Sequence, residues 1–201
     1  MILIIRLFEK ENTEEKIITA TFNIVQREGV QKATTKKIAA EAGVNEVTIF
    51  RKFENKKNLI EATKDYYMSK LLSRLEETFD YDEDESIEDY LKHCFYGILD
   101  FSQEDISIIR VAMQEITGET DKKLLISHIT DTIINKMEEF FKLQLEKSVI
   151  KNVNSKAISV MCFSIIFQST ILWQIYGNNA DIDSDIFADD YLDIIFNGIK
   201  P

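Results

Sequence analysis

The sequence contains little proline, glycine, cysteine or histidine, and each shortage argues against a class of protein. One proline and six glycines in 201 residues leave few turns, which argues against a sandwich or barrel of many short strands. Two cysteines, Cys94 and Cys162, are too few for a disulfide framework or a cysteine-based zinc site, so we expect buried free thiols in a reducing cytoplasm. With only His93 and His128, we expect no metal centre, no cofactor and no acid–base catalysis.

Acidic residues are in excess, but the charge is unevenly distributed along the chain. The formal net charge of −11 by itself argues against nucleic acid binding. Residues 1–60 nevertheless carry 11 Lys or Arg against 8 Asp or Glu, whereas residues 61–201 carry 13 against 27. The asymmetry predicts a basic module attached to an acidic body. The seven cations within residues 31–57 either mark a nucleic-acid-binding surface or are simply solvated.

Two uncharged or nearly uncharged segments raise the question of a leader or a membrane span. Residues 1–8 are too short for a signal sequence, and we expect an extra piece of helix or an irregular start there. Residues 157–180 carry no charge and are long enough to span a membrane. They contain several Ser, Gln and Asn residues and lack a basic flank, so we expect a helix buried on two sides, with no membrane contact.

Apolar residues recur at helical spacing along nearly the whole chain, and no strand pattern is convincing. The expected fold is all-α, with about nine helices. Gly29 and Gly43 are expected to end the first two helices. The side chains expected to cap helix starts are Thr34, Asn45, Asn55, Ser86 and Ser184. The predicted helices are 13–28, 35–42, 46–52, 56–79, 86–101, 102 or 103 to about 118, 120 or 121 to about 147, 154 or 155 to about 176, and 185–197.

The second and third helices are separated by a few residues around Gly43, which is the helix-turn-helix arrangement. Here residues 13–59 resemble the N-terminal domain of the TetR family of transcriptional regulators. The matching residues are Ile17, Ile18, Gly29, Thr34, Ile38, Ala39, Ala42, Gly43, Val44, Thr48, Ile49, Phe50, Phe53, Asn55, Lys56 and Leu59. The resemblance implies a DNA-binding domain over residues 1–58 and a helical effector-binding and dimerisation domain over residues 59–201.

The resemblance also implies which side chains meet DNA. Thr34 and Lys56 would bind phosphates, the start of the third helix would lie near base edges, and Thr48 would contact backbone or base. Threonine, asparagine and lysine at helix starts are suited to phosphate contacts on physical grounds as well. The DNA-binding candidates are Thr34, Thr35, Lys36, Asn45, Glu46, Val47, Thr48, Phe50, Arg51, Lys52 and Lys56.

Three of these residues depart from the family pattern. Phe50 stands where a tyrosine hydroxyl usually binds phosphate, while Glu46 and Val47 replace what is often a basic residue and a glycine. Glu46 either accepts a hydrogen bond from cytosine N4 or complements the N-terminus of its helix. Val47 either packs on a thymine methyl group or is a spacer. The departures bear on affinity and target sequence, not on the fold.

In the body, the resemblance implies that the last two helices pair with those of a second subunit. Two apolar stripes on the eighth helix agree, because the protein's own core covers only one. The expected interface residues are Ile158, Met161, Ile165, Ser169, Leu172, Tyr176, Phe187, Tyr191 and Ile194.

An effector would bind among helices four to eight, and its candidate contacts are His93, Phe95, Tyr96, Met113, Gln114, His128, Met137, Phe141 and Phe163. An apolar lining with a few polar groups suits an apolar or amphipathic small molecule.

These observations predict a homodimeric, cytoplasmic repressor that binds a palindromic operator in double-stranded DNA. A small, mainly apolar effector is expected to release it. The alternative is a co-activator or protein-interaction module of the same fold that no longer reads DNA, which Phe50 and Glu46 favour and the basic patch opposes. No nucleophile–base pair or metal-ligand spacing is visible in the sequence, so an enzyme is not expected.

Overall fold

The computed structural model describes residues 12–114, 125–175 and 183–198. Within these residues the chain forms nine α-helices and no strand, which confirms the all-α expectation. The helices are α1 Thr13–Glu28, α2 Thr35–Ala42, α3 Glu46–Phe53, α4 Lys56–Thr78, α5 Ile87–Leu99, α6 Gln103–Gln114, α7 Leu125–Glu146, α8 Ser155–Thr170 and α9 Ser184–Asn197. A π-helical turn, Ile171–Ile175, continues α8.

Most of the predicted helix starts are confirmed, and one predicted capping residue, Ser184, is wrong. The side chains of Asn55 and Ser86 accept hydrogen bonds from the amides of the residues three positions later, at 2.9 and 3.1 Å. The residue that caps α9 is Asp183, which accepts from the amide of Asp185 at 2.9 Å, whereas Ser184 is already helical. The predicted segments at 1–8, 115–118 and 120–124 lie outside the described residues.

The chain divides into two compact units, Met1–Ser69 and Lys70–Pro201, with the division falling inside α4. In the first unit, α1, α2, α3 and the start of α4 bury one apolar core. Its fully buried members include Ile17, Ile38, Ile49 and Leu59, one from each helix. Burying such side chains supplies most of the free energy that holds short helices together, because isolated helices of eight residues are unstable in water.

Two turns give the first unit its helix-turn-helix geometry. Gly43 adopts the left-handed conformation, with φ of 66° and ψ of 33°, and so allows a sharp turn between α2 and α3. Thr34 caps α2 by accepting from the amide of Lys37 at 3.3 Å, and Asn45 caps α3 by accepting from the amide of Val47 at 2.9 Å. These local hydrogen bonds and the left-handed Gly43 fix where α3 begins.

The second unit is a helical bundle built around aromatic side chains. Helix α7 packs along α8, and α5 packs against both α8 and α9. Tyr90 of α5 stacks on Phe140 of α7 with ring centroids 3.9 Å apart, and its hydroxyl donates to the Phe79 carbonyl at 3.2 Å. Cys94 and Cys162 are buried free thiols, as expected from their small number.

Helix α8 is the most apolar helix of the described chain. With its π turn it covers Ser155–Ile175 and is long and apolar enough, by length and composition alone, to cross a membrane. A single helix of this kind is weak support for a span, because the core helix of a globular protein has the same properties. Here α8 packs against α5 and α7 and buries Ser159 and Ser169, whose hydroxyls donate to the carbonyls of Ser155 and Ile165.

Candidate nucleic-acid interface

The DNA-binding candidates all lie in the first unit, on α2, on α3 and at the start of α4. Thr34 and Asn45 are exposed at the two helix starts, and each uses one side-chain oxygen to cap its helix. The Thr34 hydroxyl proton and the Asn45 amide protons remain available as donors. Free donors at a helix N-terminus, where the helix dipole is positive, are suited to binding phosphate.

The seven cations within residues 31–57 fall into two groups. Lys37 pairs with Glu28 at 2.5 Å, Lys52 pairs with Glu14 at 3.3 Å, and Lys56 donates to the Val30 carbonyl at 2.7 Å. The other group is exposed and makes no ion pair within the described part of the chain. It comprises Lys32, Lys36, Arg51 and Lys57. These unpaired charges are the groups best able to neutralise DNA phosphates.

Glu46, the first residue of α3, is held by the neighbouring helix. The Thr35 hydroxyl donates to the Glu46 carboxylate at 2.6 Å, and both residues are half-buried. The sequence pointed to Glu46 and Thr35 separately, but nothing in their spacing of 11 residues predicts that they meet. This contact favours the interpretation that Glu46 orders the start of α3 over a role in reading cytosine.

The remaining α3 residues separate into a buried and an exposed face. Ile49 and Phe53 point into the core, with exposed fractions of 0% and 6%. Thr48 is half-buried, and Val47 and Phe50 are exposed. Helix α3 is therefore anchored by its apolar face and presents the opposite face to solvent, as a recognition helix must.

Ion pairs fasten α2 to the end of α1. Arg27 forms two hydrogen bonds to the Glu41 carboxylate, at 3.1 and 2.6 Å, and thereby lowers the pKa of Glu41. The Lys37 ammonium likewise lowers the pKa of Glu28 through their hydrogen bond. Both contacts join residues on the outer surface of the unit, so they set the position of α2 without adding to the core.

The effector candidates divide between the core and the surface of the second unit. Phe95, Met137, Phe141 and Phe163 are buried. Met113 is half-buried, the side chain of Gln114 lies outside the described part, and His128 is exposed. Tyr96 donates to Asp185 at 2.9 Å and His93 lies 3.8 Å from Glu85, so both belong to the surface of the second unit.

One aromatic cluster surrounds Phe95. Its ring centroid lies 5.9 Å from that of Phe187 and 6.3 Å from that of Trp173, and the last two are 5.1 Å apart. Trp173 was missing from the sequence-based set, although it is the one tryptophan in the chain. It lies in the π turn after α8, whose Gln174 amide donates to the Leu99 carbonyl. Single π turns inside α-helices occur often at functional sites.

A groove of about 500 Å³ opens elsewhere in the second unit. Four carboxylates and one lysine dominate it, which favours a cationic ligand over an anionic one. None of the sequence-based effector candidates lines it. Its lining is Glu83, Asp84, Glu85, Ser86, Ile87, Glu88, Gln144, Lys147, Val149 and Phe196. No cluster of His, Cys, Asp and Glu able to hold a metal ion is present among the described residues.

The interface candidates of α8 and α9 divide between surface and core. Met161 and Ile194 are exposed by 66% and 50%, whereas Ser169 and Tyr191 are buried within their own chain. Ile158, Ile165 and Phe187 are half-buried. The Leu172 side chain and the whole of Tyr176 lie outside the described residues. Val160 and Ile186 are exposed by 40% and 57%.

Comparison with known proteins adds three findings. The family model described as "Bacterial regulatory proteins, tetR family" matches residues 17–63. YvkB of Bacillus subtilis, an HTH-type transcriptional regulator, is 31% identical over 158 residues, covering 77% of this chain and 79% of YvkB. The nucleoid occlusion factor SlmA of Vibrio campbellii is 28% identical over 179 residues, covering 88% of this chain and 87% of SlmA.

The fold itself matches solved structures along nearly its whole length. FadR of Bacillus subtilis, a transcriptional regulator in complex with stearoyl-CoA, has a TM-score of 0.59 with this chain at 18% identity. The match covers 92% of this chain and 98% of that one. At this identity the likeness concerns the fold alone, an N-terminal helix-turn-helix unit followed by a helical body.

Proposed function

Because the chain belongs to the TetR family of bacterial transcriptional regulators, we propose that it is a homodimeric repressor acting in the cytoplasm. Each subunit places α3 in one major groove of a palindromic operator. A small, mainly apolar effector binds the helical body and releases the DNA. The residues that bind DNA are the candidates named from the sequence, and all of them lie within residues 1–58.

One observation carries this proposal: exposed, unpaired cations flank the recognition helix. Lys36 on α2 and Arg51 on α3 make no ion pair within the described residues, although the chain as a whole has net charge −11. A protein with so many carboxylates could have paired these side chains internally. Unpaired cations can bind the phosphates of a polyanion such as DNA. The negative charge of residues 61–201 repels such a polyanion and so favours its binding to the basic N-terminal residues.

The test is a titration of the full-length protein against DNA at two salt concentrations. Duplexes enriched from a random pool by repeated binding serve as the specific target, and a scrambled duplex serves as the reference. We expect specific binding that weakens with salt. Lys36→Ala should lower the slope of log affinity against log salt by about one, as expected for one lost phosphate contact.

Lys151→Ala is the matched control, because Lys151 is an exposed lysine of the second unit with no ion pair within the described residues. It should bind DNA like the unmodified protein. Equal slopes for the two variants would contradict the assignment of Lys36 to the interface.

The effector proposal draws on the aromatic cluster around Phe95 and on the chemistry of one structural relative. FadR of Bacillus subtilis holds stearoyl-CoA, so acyl-CoA thioesters of graded chain length form the first panel of probes. Release of operator DNA by a member of the panel would support an apolar effector. Because carboxylates dominate the described groove, the phosphates of such a ligand would bind away from it.

The second candidate function is a protein-interaction module of the same fold. Phe50 lacks the hydroxyl that a tyrosine would offer to phosphate, and Glu46 adds negative charge at the start of α3. Absence of binding to every duplex, even at low salt, would favour this candidate over the repressor.

A further inference from the structure

Two large apolar side chains stand in solvent on the recognition helix. Val47 is exposed by 70% and Phe50 by 47%. They are three residues apart and therefore adjacent on one face of α3. The same helix buries Ile49 and Phe53 on its other side, so the exposed pair contributes nothing to the core of its own unit. Single exposed apolar residues are common on protein surfaces, but here both lie on the element that enters the major groove.

Two polar groups beside this pair already have partners within the protein. Glu46 accepts from the Thr35 hydroxyl at 2.6 Å, and the Asn45 side-chain oxygen accepts from the Val47 amide at 2.9 Å. A carboxylate facing DNA also repels phosphate. Besides the cations Arg51 and Lys52, the exposed side chains of α3 are Val47 and Phe50. In the major groove, the one apolar group that distinguishes a base pair is the C5-methyl group of thymine.

We propose that Val47 and Phe50 read thymine methyl groups, so that each operator half-site carries thymine at the positions facing them. The assignment deepens the proposed function and rests on it. Unpaired Arg51 next to Phe50 supplies the phosphate contact that holds the helix in register, while the apolar pair supplies sequence discrimination. Glu46 and Thr35 position the start of α3 and do not read a base.

Replacing thymidine by deoxyuridine tests whether the protein reads thymine methyl groups, because the two nucleosides differ only by that methyl group. The full-length protein is first used to enrich an operator from random duplexes. Each thymine of a half-site is then replaced singly by deoxyuridine, and affinity is measured by fluorescence anisotropy. We expect a loss of about fourfold at one or two positions, the effect of one buried methyl group. The other positions should stay within twofold.

Variants of α3 then show which side chain contacts each thymine whose replacement by deoxyuridine lowers affinity. Val47→Ala and Phe50→Ala should each abolish the deoxyuridine effect at one position and retain it at any other. Val149→Ala is the matched control, since Val149 is 60% exposed in the second unit, and it should keep the full pattern. All three residues are exposed, so thermal melting of the variants should match that of the parent.

The possible outcomes distinguish a failure of the thymine-methyl proposal from a failure of the proposed repressor function. An enriched operator whose affinity changes less than twofold at every thymine overturns methyl reading and leaves the repressor intact. Unchanged deoxyuridine sensitivity in both α3 variants overturns the residue assignment. If no sequence is enriched and all duplexes bind equally, the proposed function fails and the inference fails with it.

Discussion

At the scale of single residues, Glu46 shows how a contact within the protein bears on the role of a side chain at the start of a helix. Glu46→Gln removes a negative charge from the start of α3 and weakens the hydrogen bond from Thr35. We expect tighter binding to scrambled duplexes, because less negative charge faces the phosphates. The thermal midpoint should fall by about 2–4 °C, the effect of roughly 1 kcal/mol in a chain of this size. Anisotropy and circular dichroism measure the two effects. Weaker binding to scrambled duplexes would contradict the expected loss of repulsion, and a loss of affinity only for duplexes with cytosine at one position would mean that Glu46 reads a base.

Two other carboxylates link the stability of the chain to pH. The pKa values of Glu28 and Glu41 are lowered below 4.5 by hydrogen bonds from Lys37 and Arg27. Their stabilisation is therefore fully present above about pH 4.5 and is lost as the pH falls through the lower, folded-state pKa values. The double variant Glu28→Gln/Glu41→Gln should lose less thermal stability than the parent between pH 7 and about pH 3.5.

The control for this acid series is Glu139→Gln. Glu139 is an exposed residue of α7 that makes no ion pair in the part of the chain described. Its variant should follow the parent at every pH. An identical acid-induced decline in the double variant and the parent would show that these two pairs do not contribute.

At the scale of helices, the end of α3 stores backbone strain. Glu54 caps this helix with φ of 66° and ψ of −46°, in a region that favours glycine. Glu54→Gly should relieve that strain and raise the free energy of unfolding by about 1 kcal/mol. Glu139→Gly, in the middle of α7, should lower it by about as much, because glycine is a poor helix former. Urea titrations followed by circular dichroism compare the two, and destabilisation by Glu54→Gly would contradict the strain argument.

The helices were largely predictable because their start and stop signals are local. Thr34, Gly43 and Asn45 act within one turn of their own positions, and the structure uses each as expected. The interior face of α8 was not predictable, because that helix is apolar on nearly every side. It buries Ser159 and Ser169 and exposes Met161, the reverse of what hydrophobicity suggests.

The candidate site likewise combines local features, which the sequence predicts, with contacts between distant residues, which it does not. The family motif located the recognition helix, since the motif is contiguous and its spacing is local. The pairing of Thr35 with Glu46, and of Lys56 with the Val30 carbonyl, joins positions 11 and 26 residues apart. Such contacts depend on how helices cross, so residue types alone cannot reveal them.

At the scale of the whole molecule, the proposed repressor requires two recognition helices held one or more helical turns of DNA apart, each turn about 34–36 Å. The proposed dimer does this through exposed apolar residues of α8 and α9, chiefly Met161 and Ile194. Met161→Glu would bury a charge in that interface and should yield monomers by analytical ultracentrifugation. Operator affinity should then fall about 10²-fold or more, because the second half-site no longer adds to the first.

Val149→Glu makes the same kind of change outside the proposed interface. Val149 is 60% exposed, close to the 66% of Met161, and lies between α7 and α8. That variant should remain dimeric, keep operator affinity and melt at the temperature of the parent. Met161→Glu should melt at a lower temperature, because the folded chain loses the stabilisation that association supplies. A dimeric Met161→Glu variant would place the interface elsewhere. A monomeric variant that still binds the full operator as tightly as the parent would mean that one recognition helix suffices.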